Sequence, residues 1–377
     1  MQFTPSPLPT VGIELELQLL DASSLDLVDG IMPLIRLFPD RIDVKAEMIQ
    51  SCVEISSPVC EHTGAAEQHL RQTVAALKER CASLEMALCG SGTHPFARHL
   101  ALITPAPRFM RMKSDFGITG RNQLTFATHV HVGLPSGDVA MSVMRRLTPC
   151  LPLLLAIAAN SPYWRGQDTG FSSYRHCILA ASQSYGLPPY FEDWQDFVRF
   201  LRMSEHAGIF SSFKDMHWDL RPHPDFGTLE VRVMDAASSV RDAAALAALC
   251  RALAVYLIER ANTDPGAWPL GRLPRWIEQM NRYQASLKGL DARYIVDEDG
   301  GVRPIRQLID ELLSLVRPVA ERINEAAGLA SLRSMLDEGG AYGRQRRVLE
   351  SGREVHEVVR YLAGVLEEET RECTADS

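Results

Sequence analysis

Residues Thr228-Leu-Glu-Val-Arg-Val-Met-Asp235 alternate Leu229, Val231 and Val233 with Glu230 and Arg232. Successive side chains of a β-strand point to opposite faces, so this segment predicts a strand with three apolar residues in a core. A carboxylate and a guanidinium then share the other face. Three more segments repeat the plan. Val11 to Leu19 sends Ile13, Leu15, Leu17 and Leu19 one way and Glu14 and Glu16 the other. Cys52 to Ser56 opposes Val53 and Ile55 to Glu54, and Thr128 to Leu134 opposes its valines to His129 and His131. Strands that are apolar on one face only predict an α+β fold: an antiparallel sheet with helices packed behind it and an open working face in front.

An ordinary half-buried strand scatters Thr, Ser, Lys and Gln over its wet face, whereas these four present groups suited to hard cations and phosphates. Each motif alone also has a bland reading. Glu14 with Glu16, or Glu54 by itself, can be a solvated strand face. His129 and His131 can be satisfied core histidines, or the paired ligands of a zinc hydrolase completed by His217 and Asp235. Glu230 and Arg232 can be an exposed ion pair worth at most about 1 kcal/mol. Four strands placing charge or imidazole on the same side argue instead for one shared site. The chain has no GxxxxGK[ST] loop and no complete GxGxxG, so a bound nucleotide would be held by the sheet and its metals.

The chain's 377 residues are 46% apolar, enough for a sizeable core, and 39 basic against 47 acidic residues leave a formal charge of −8. That balance gives no electrostatic reason to expect nucleic acid or an anionic membrane as partner. Eight scattered cysteines without a CxxC pair argue against a disulfide framework or a thiolate zinc site, and point to a reducing compartment. The start Met-Gln-Phe-Thr-Pro-Ser-Pro lacks the basic and apolar parts of a signal peptide, which makes the cytoplasm the expected location. The most apolar run, Cys150 to Ala159, is too short to span a bilayer and contains Pro152.

Helical composition predicts a long helix from His62 to Leu88, and a second from Asp138 to Ala159 that Pro149 and Pro152 should bend or break. A third starts at Ser239, an N-cap with Asp242 at the third position, and runs to Arg260. Residues 161 to 226 are rich in Gly and Pro, with a helical stretch near Glu192 to Arg202; such long loops beside functional strands form lids or walls. Pro304 to Glu369 is mainly helical.

Six ordered motifs carry a family resemblance: Gly12-Ile-Glu-Leu-Glu16, Gly92-Thr-His-Pro-Phe96, His129-Val-His-Val-Gly133, Ser161-Pro-Tyr163 with Asp168-Thr-Gly-Phe-Ser-Ser-Tyr-Arg175, Lys214-Asp-Met-His-Trp-Asp-Leu-Arg221 and Phe226 to Asp235. Together they resemble the bacterial carboxylate-amine ligases, the YbdK or type 2 glutamate–cysteine ligase family. The resemblance implies a glutamine-synthetase-like antiparallel sheet curved into a funnel that holds ATP and Mg2+ or Mn2+. It implies one catalytic domain over 1–377, with the ATP and metal core at about 10–260 and a mainly helical continuation at about 270–370. Glu14, Glu16, Glu54, His131 and Glu230 match the metal positions, and Arg232 the arginine that contacts the transferred phosphoryl group. Glu47 falls where relatives commonly place another acid. His129, a cofactor-side candidate, and His217 and Arg221 lie inside family motifs. The expected partners are small molecules: ATP, an amino-acid carboxylate and an amine, with a homodimer as the candidate assembly. The activity implied is ATP-dependent glutamate–cysteine ligation, or the same mechanism with another amine; a catalytically silent binding protein is the remaining class.

Overall fold

The computed structural model describes residues 1–182, 184–260, 270–350 and 352–375. The four strands read from the sequence all form. They are β1 (Val11–Asp21), β3 (Cys52–Ser56), β5 (Ala127–Gly133) and β9 (Thr228–Asp235), and the short strands β2 (Val44–Ala46), β4 (Met86–Cys89) and β8 (Leu220–His223) join them. They make one seven-stranded sheet in the order β2-β3-β1-β5-β9-β8, with β4 also paired to β1. Every pairing is antiparallel. A two-stranded ribbon, β6 (Tyr163–Trp164) with β7 (Gln167–Asp168), lies outside it. Between β8 and β9 the chain reverses through Gly227, whose φ of 66° and close approach to the Thr4 carbonyl leave no room for a side chain.

The apolar sides of β1, β5 and β9 enter the core with Ile13, Leu15, Leu17, Val130, Val132, Val231 and Val233 all buried. Behind them lie α1 (Ile31–Ile35), α2 (Thr63–Ala82), α4 (Gly137–Leu147), α5 (Leu151–Ala158) and α8 (Val240–Arg260), while α3 (Pro107–Arg121), α6 (Arg175–Leu179) and α7 (Trp194–His206) come from the intervening segments. α8 is buried nearly all round, as its Ala- and Leu-rich sequence requires, and touches α2, α4, β1 and β5. Helices α9 (Arg275–Lys288), α10 (Ile305–Arg322), α11 (Ala326–Asp337), α12 (Gly340–Glu350) and α13 (His356–Ala375) follow, with α10 and α11 packed on α8.

One helix expectation is corrected and another, a break at the prolines, is borne out. The long helix from His62 to Leu88 stops at Ala82, and after a turn with Glu85 at φ 55°, Met86–Cys89 pairs with Gln18, Leu19, Leu20 and Asp21 of β1 rather than continuing the helix. Tertiary pairing overrides helix propensity there. Asp138 to Ala159 is two helices joined by a 3-10 turn at Thr148–Cys150, with Pro152 in the first turn of α5 where its missing N–H is harmless. By length and hydropathy Gly137–Ala158 could cross a membrane, but 83% of its apolar window is buried in the core.

The start of α8 fixes the end of β9. Ser239 caps it through a 3.0 Å bond from the Asp242 N–H, as its sequence predicts, but the Asp242 carboxylate turns to Arg344 instead of completing a capping box. The Glu369 carboxylate on α13 accepts both the Val240 and the Arg241 N–H at 2.7 Å.

Candidate active site

Strand register assembles the polar face. Glu54 lies opposite both Lys45 and Glu16, Glu14 opposite His129, and Glu230 opposite both His131 and Arg221. Residues directly opposite one another in an antiparallel pair are close enough for their side chains to interact. The row therefore runs across all six strands from β2 to β8. One irregularity interrupts it. Thr128 pairs with Met234 but Val130 with Val231, so β9 carries one extra residue opposite His129, at Arg232 and Val233. Such a bulge bends the strand and re-aims a side chain. The Arg232 N–H is held by the Asp219 carbonyl at 2.8 Å.

These side chains line one cleft of about 420 Å³ that contains every site residue expected from the sequence: Glu14, Glu16, Glu47, Glu54, His129, His131, His217, Arg221, Glu230 and Arg232. Glu47, the loosest sequence match, is among them. So are Lys45, Arg108, Arg175, Lys214, Tyr185 and Phe226, for which the sequence had suggested no role. Arg175 and Lys214 sit inside motifs already singled out, which was the available signal. Asp235 takes no part: its carboxylate is engaged by the Asn160 N–H and the Ser161 and Ser173 hydroxyls at 2.7 to 2.8 Å. His217 bonds Ser184 through Nδ1 at 3.1 Å. The zinc set His129, His131, His217 and Asp235 does not assemble.

The donor set fits hard divalent cations. Among the described residues two groups bring their ligand atoms within 4.8 Å of one another, Glu14 with His131 and Glu230, and Glu14 with Glu54 and His129. His129 Nδ1 lies 3.4 Å from Glu14 and 4.0 Å from Glu230, and His131 Nε2 lies 3.7 Å and 3.8 Å from the same carboxylates. Both ring nitrogens are buried without a hydrogen-bond partner, as ligand atoms awaiting a cation would be. The other nitrogen of His131 meets the Thr228 hydroxyl at 2.9 Å, which orients the ring and leaves Nε2 facing the two carboxylates.

The charges of this cleft are strongly perturbed. Burial pushes the Glu16 carboxyl up to about 8, with Glu47 adding repulsion, and burial followed by Glu14 and Glu47 pushes Glu54 well above the ordinary range. Burial raises Glu47 as well. Burial also opposes charge on Glu14 and Glu230, yet His131 and His129 draw Glu14 well down, and Arg221 with Arg232 draw Glu230 down. Burial, then Arg232, lowers His129 to about 4, whereas the carboxylates of Glu230 and Glu14 outweigh burial and raise His131.

Glu230 is clamped on both oxygens. Arg221 Nε and Nη2 hold Oε2 at 2.9 and 2.8 Å, and Arg232 Nη1 holds Oε1. Removing its charge would leave the buried Arg221 and the part-buried Arg232 without their carboxylate, at a cost of about 3–5 kcal/mol. Glu54 differs, because its nearest cation is the half-exposed Lys45 at 3.3 Å and the other charges acting on it are those of Glu14, Glu47 and Glu16. Glu54→Gln is therefore expected to hold or raise the melting temperature measured in chelator, while abolishing most of the stabilisation that magnesium gives the wild type. A melting temperature several degrees lower in chelator would contradict the repulsion argument.

Comparison with known proteins shows the fold and the family. A structure of glutamate–cysteine ligase from Francisella tularensis in complex with AMP superposes with a TM-score of 0.67, covering 99% of this chain and 90% of that one at 11% identity. A bifunctional glutathione synthetase from Pasteurella multocida also gives 0.67, at 13% identity, over 97% of this chain and 52% of its own. These likenesses show the fold, an open antiparallel sheet with helices. In sequence, a protein of Trichormus variabilis provisionally named glutamate–cysteine ligase 2 is 42% identical over 98% of this chain and 95% of its own length. One of Mycolicibacterium smegmatis, provisionally named glutamate–cysteine ligase 2-1, is 36% identical over 97% of each. With the sequence model described as Glutamate-cysteine ligase family 2 matching residues 10–363, the chain belongs to that family of ligases.

Proposed function

We propose that the protein is an ATP-dependent carboxylate-amine ligase that joins the side-chain carboxylate of glutamate to the amine of cysteine, releasing ADP and phosphate. The observation that carries this reading is the pair of buried ligand groups sharing Glu14, with the Arg232 guanidinium beside them in one cleft. The relatives' names support glutamate and cysteine as the substrates.

A carboxylate is a poor acyl donor. In the first step a donor carboxylate oxygen attacks the γ-phosphorus of ATP and ADP leaves; in the second the amine nitrogen attacks the acyl carbon, loses a proton, and phosphate leaves. Both partners of the first step are anionic. Divalent cations at this site would offset the repulsion between them and orient the phosphates. Glu14, His131 and Glu230 would hold one and Glu14, Glu54 and His129 another. Arg232 presents a planar, always-charged guanidinium to the transferred phosphoryl oxygens. Arg221 fixes Glu230, and through it the position of Arg232. Burial that keeps His129 neutral preserves its nitrogen as a ligand.

The purified protein is expected to form ADP and phosphate only when magnesium or manganese, glutamate and an amine are all present, with γ-glutamylcysteine identified by mass when cysteine is the amine. Formation of AMP and pyrophosphate would mean adenylation and overturn the acyl-phosphate route. A panel of amines in the same assay checks the acceptor.

A further inference from the structure

The extra residue in β9 takes backbone groups out of the regular ladder with β5, and buried backbone groups need partners. Two residues outside the cleft supply them. The Arg232 N–H goes to the Asp219 carbonyl at 2.8 Å, and the Val233 carbonyl accepts a bond from His176 Nε2 at 2.8 Å. Asp219 immediately precedes β8 and His176 is the second residue of α6. Both side chains are buried, and neither lines the cleft.

One side chain joins these two supports. Arg282 of α9 reaches the two Asp219 carboxylate oxygens through Nε and Nη2, at 2.5 and 3.0 Å, and the same Nη2 donates to His176 Nδ1 at 2.7 Å. An arginine can only donate, so Nδ1 is the acceptor and the ring proton is left on Nε2, where the Val233 carbonyl can take it. Burial, then Arg282, holds His176 well below its usual range and so in that neutral form. A counter-charge for Asp219 alone would need no second arm. The fork to His176 makes sense as a brace across the bulge, with one arm behind the Arg232 N–H and the other behind the Val233 carbonyl.

Arg232 carries its guanidinium at the end of a long side chain, so a small turn of the bulge moves it by about 1 Å, and a displacement of that size can cost on the order of 10²-fold in rate. We infer that Arg282 is a positioning residue for the reaction: from α9, outside the cleft, it fixes the backbone of the β9 bulge and thereby the aim of the Arg232 guanidinium. This rests on the ligase reading for the role of Arg232, and it gives the helical continuation of the chain a part in phosphoryl transfer.

The test is a double-mutant cycle on ADP release with glutamate and cysteine, using Arg282→Lys and Arg232→Lys. Lysine at 282 keeps a positive charge for the buried Asp219 carboxylate but cannot fork to His176. Arg282→Lys is expected to lower kcat by about 10-fold or more with the ATP dissociation constant little changed. In the Arg232→Lys background the same substitution should change kcat by no more than about twofold, because the group it aims is already gone. His176→Phe, which keeps a ring but drops the bond to Val233, should follow the same pattern and serves where Arg282→Lys does not fold. An equal loss in both backgrounds would make Arg282 a fastening of α9 and overturn the inference, as would unchanged kcat or an ATP dissociation constant that rises in step with the loss. Crystal structures of wild type and Arg282→Lys read the aim without turnover: the Arg232 guanidinium is expected to shift by about 1 Å from Glu230, and an unmoved guanidinium overturns the inference. Failure of every carboxylate and amine pair to give ADP would overturn the ligase reading and leave the decision on Arg282 to those structures.

Discussion

Glu14→Gln is expected to lower turnover by about 10³-fold or more, on the order of 4 kcal/mol of transition-state stabilisation. Glu14 is common to both ligand groups, so its loss weakens two cation positions where loss of Glu54 or Glu230 weakens one. Glutamine keeps the volume and one acceptor oxygen but not the charge that His129 and His131 now face at 3.4 and 3.7 Å. The measurement is steady-state turnover across a magnesium titration, with circular dichroism to confirm the fold. Turnover and magnesium dependence like those of the wild type would remove Glu14 from the site.

Arg232→Lys should reduce turnover by at least about 10²-fold, on the order of 3 kcal/mol, while the ATP dissociation constant changes far less. Lysine can keep the contact with Glu230, since one positive charge near Oε1 satisfies an ion pair. It cannot keep the planar set of donors that a phosphoryl group needs as its charge shifts. The bulge that aims Arg232 and the Asp219 carbonyl that anchors its N–H are backbone features the substitution leaves in place. Unchanged turnover at saturating magnesium would make Arg232 a partner of Glu230 and nothing more.

The strands were legible because a two-residue period is written directly in the alternation of Glu14 and Glu16 with Ile13, Leu15 and Leu17. Which acid meets which histidine was not. Register is a property of two distant segments, and nothing in Val11 to Leu19 says that Glu14 faces His129. The bulge was hidden for another reason: Val231, Arg232 and Val233 alternate as a regular strand would, and the extra residue shows only against β5. β4 was missed because Met86-Ala-Leu-Cys89 is made of residues equally at home in a helix. Arg108 carries no local pattern, and Arg175 has only its place at the end of a motif. A single arginine acquires meaning when its nitrogens are found buried and unmatched in the cleft.

The bonds from Val240 and Arg241 to Glu369 have a consequence for how the protein comes into being. They join positions 129 and 128 residues apart. During synthesis at about 5–20 residues per second, β9 and the first turn of α8 therefore precede their carboxylate by something on the order of ten seconds. Throughout that interval the nascent polypeptide already carries every acid and histidine of the cleft, with two backbone donors at the head of the long buried helix α8 still lacking their partner. Strand β9 therefore leaves the ribosome well before the segment that fastens the start of the helix it feeds into.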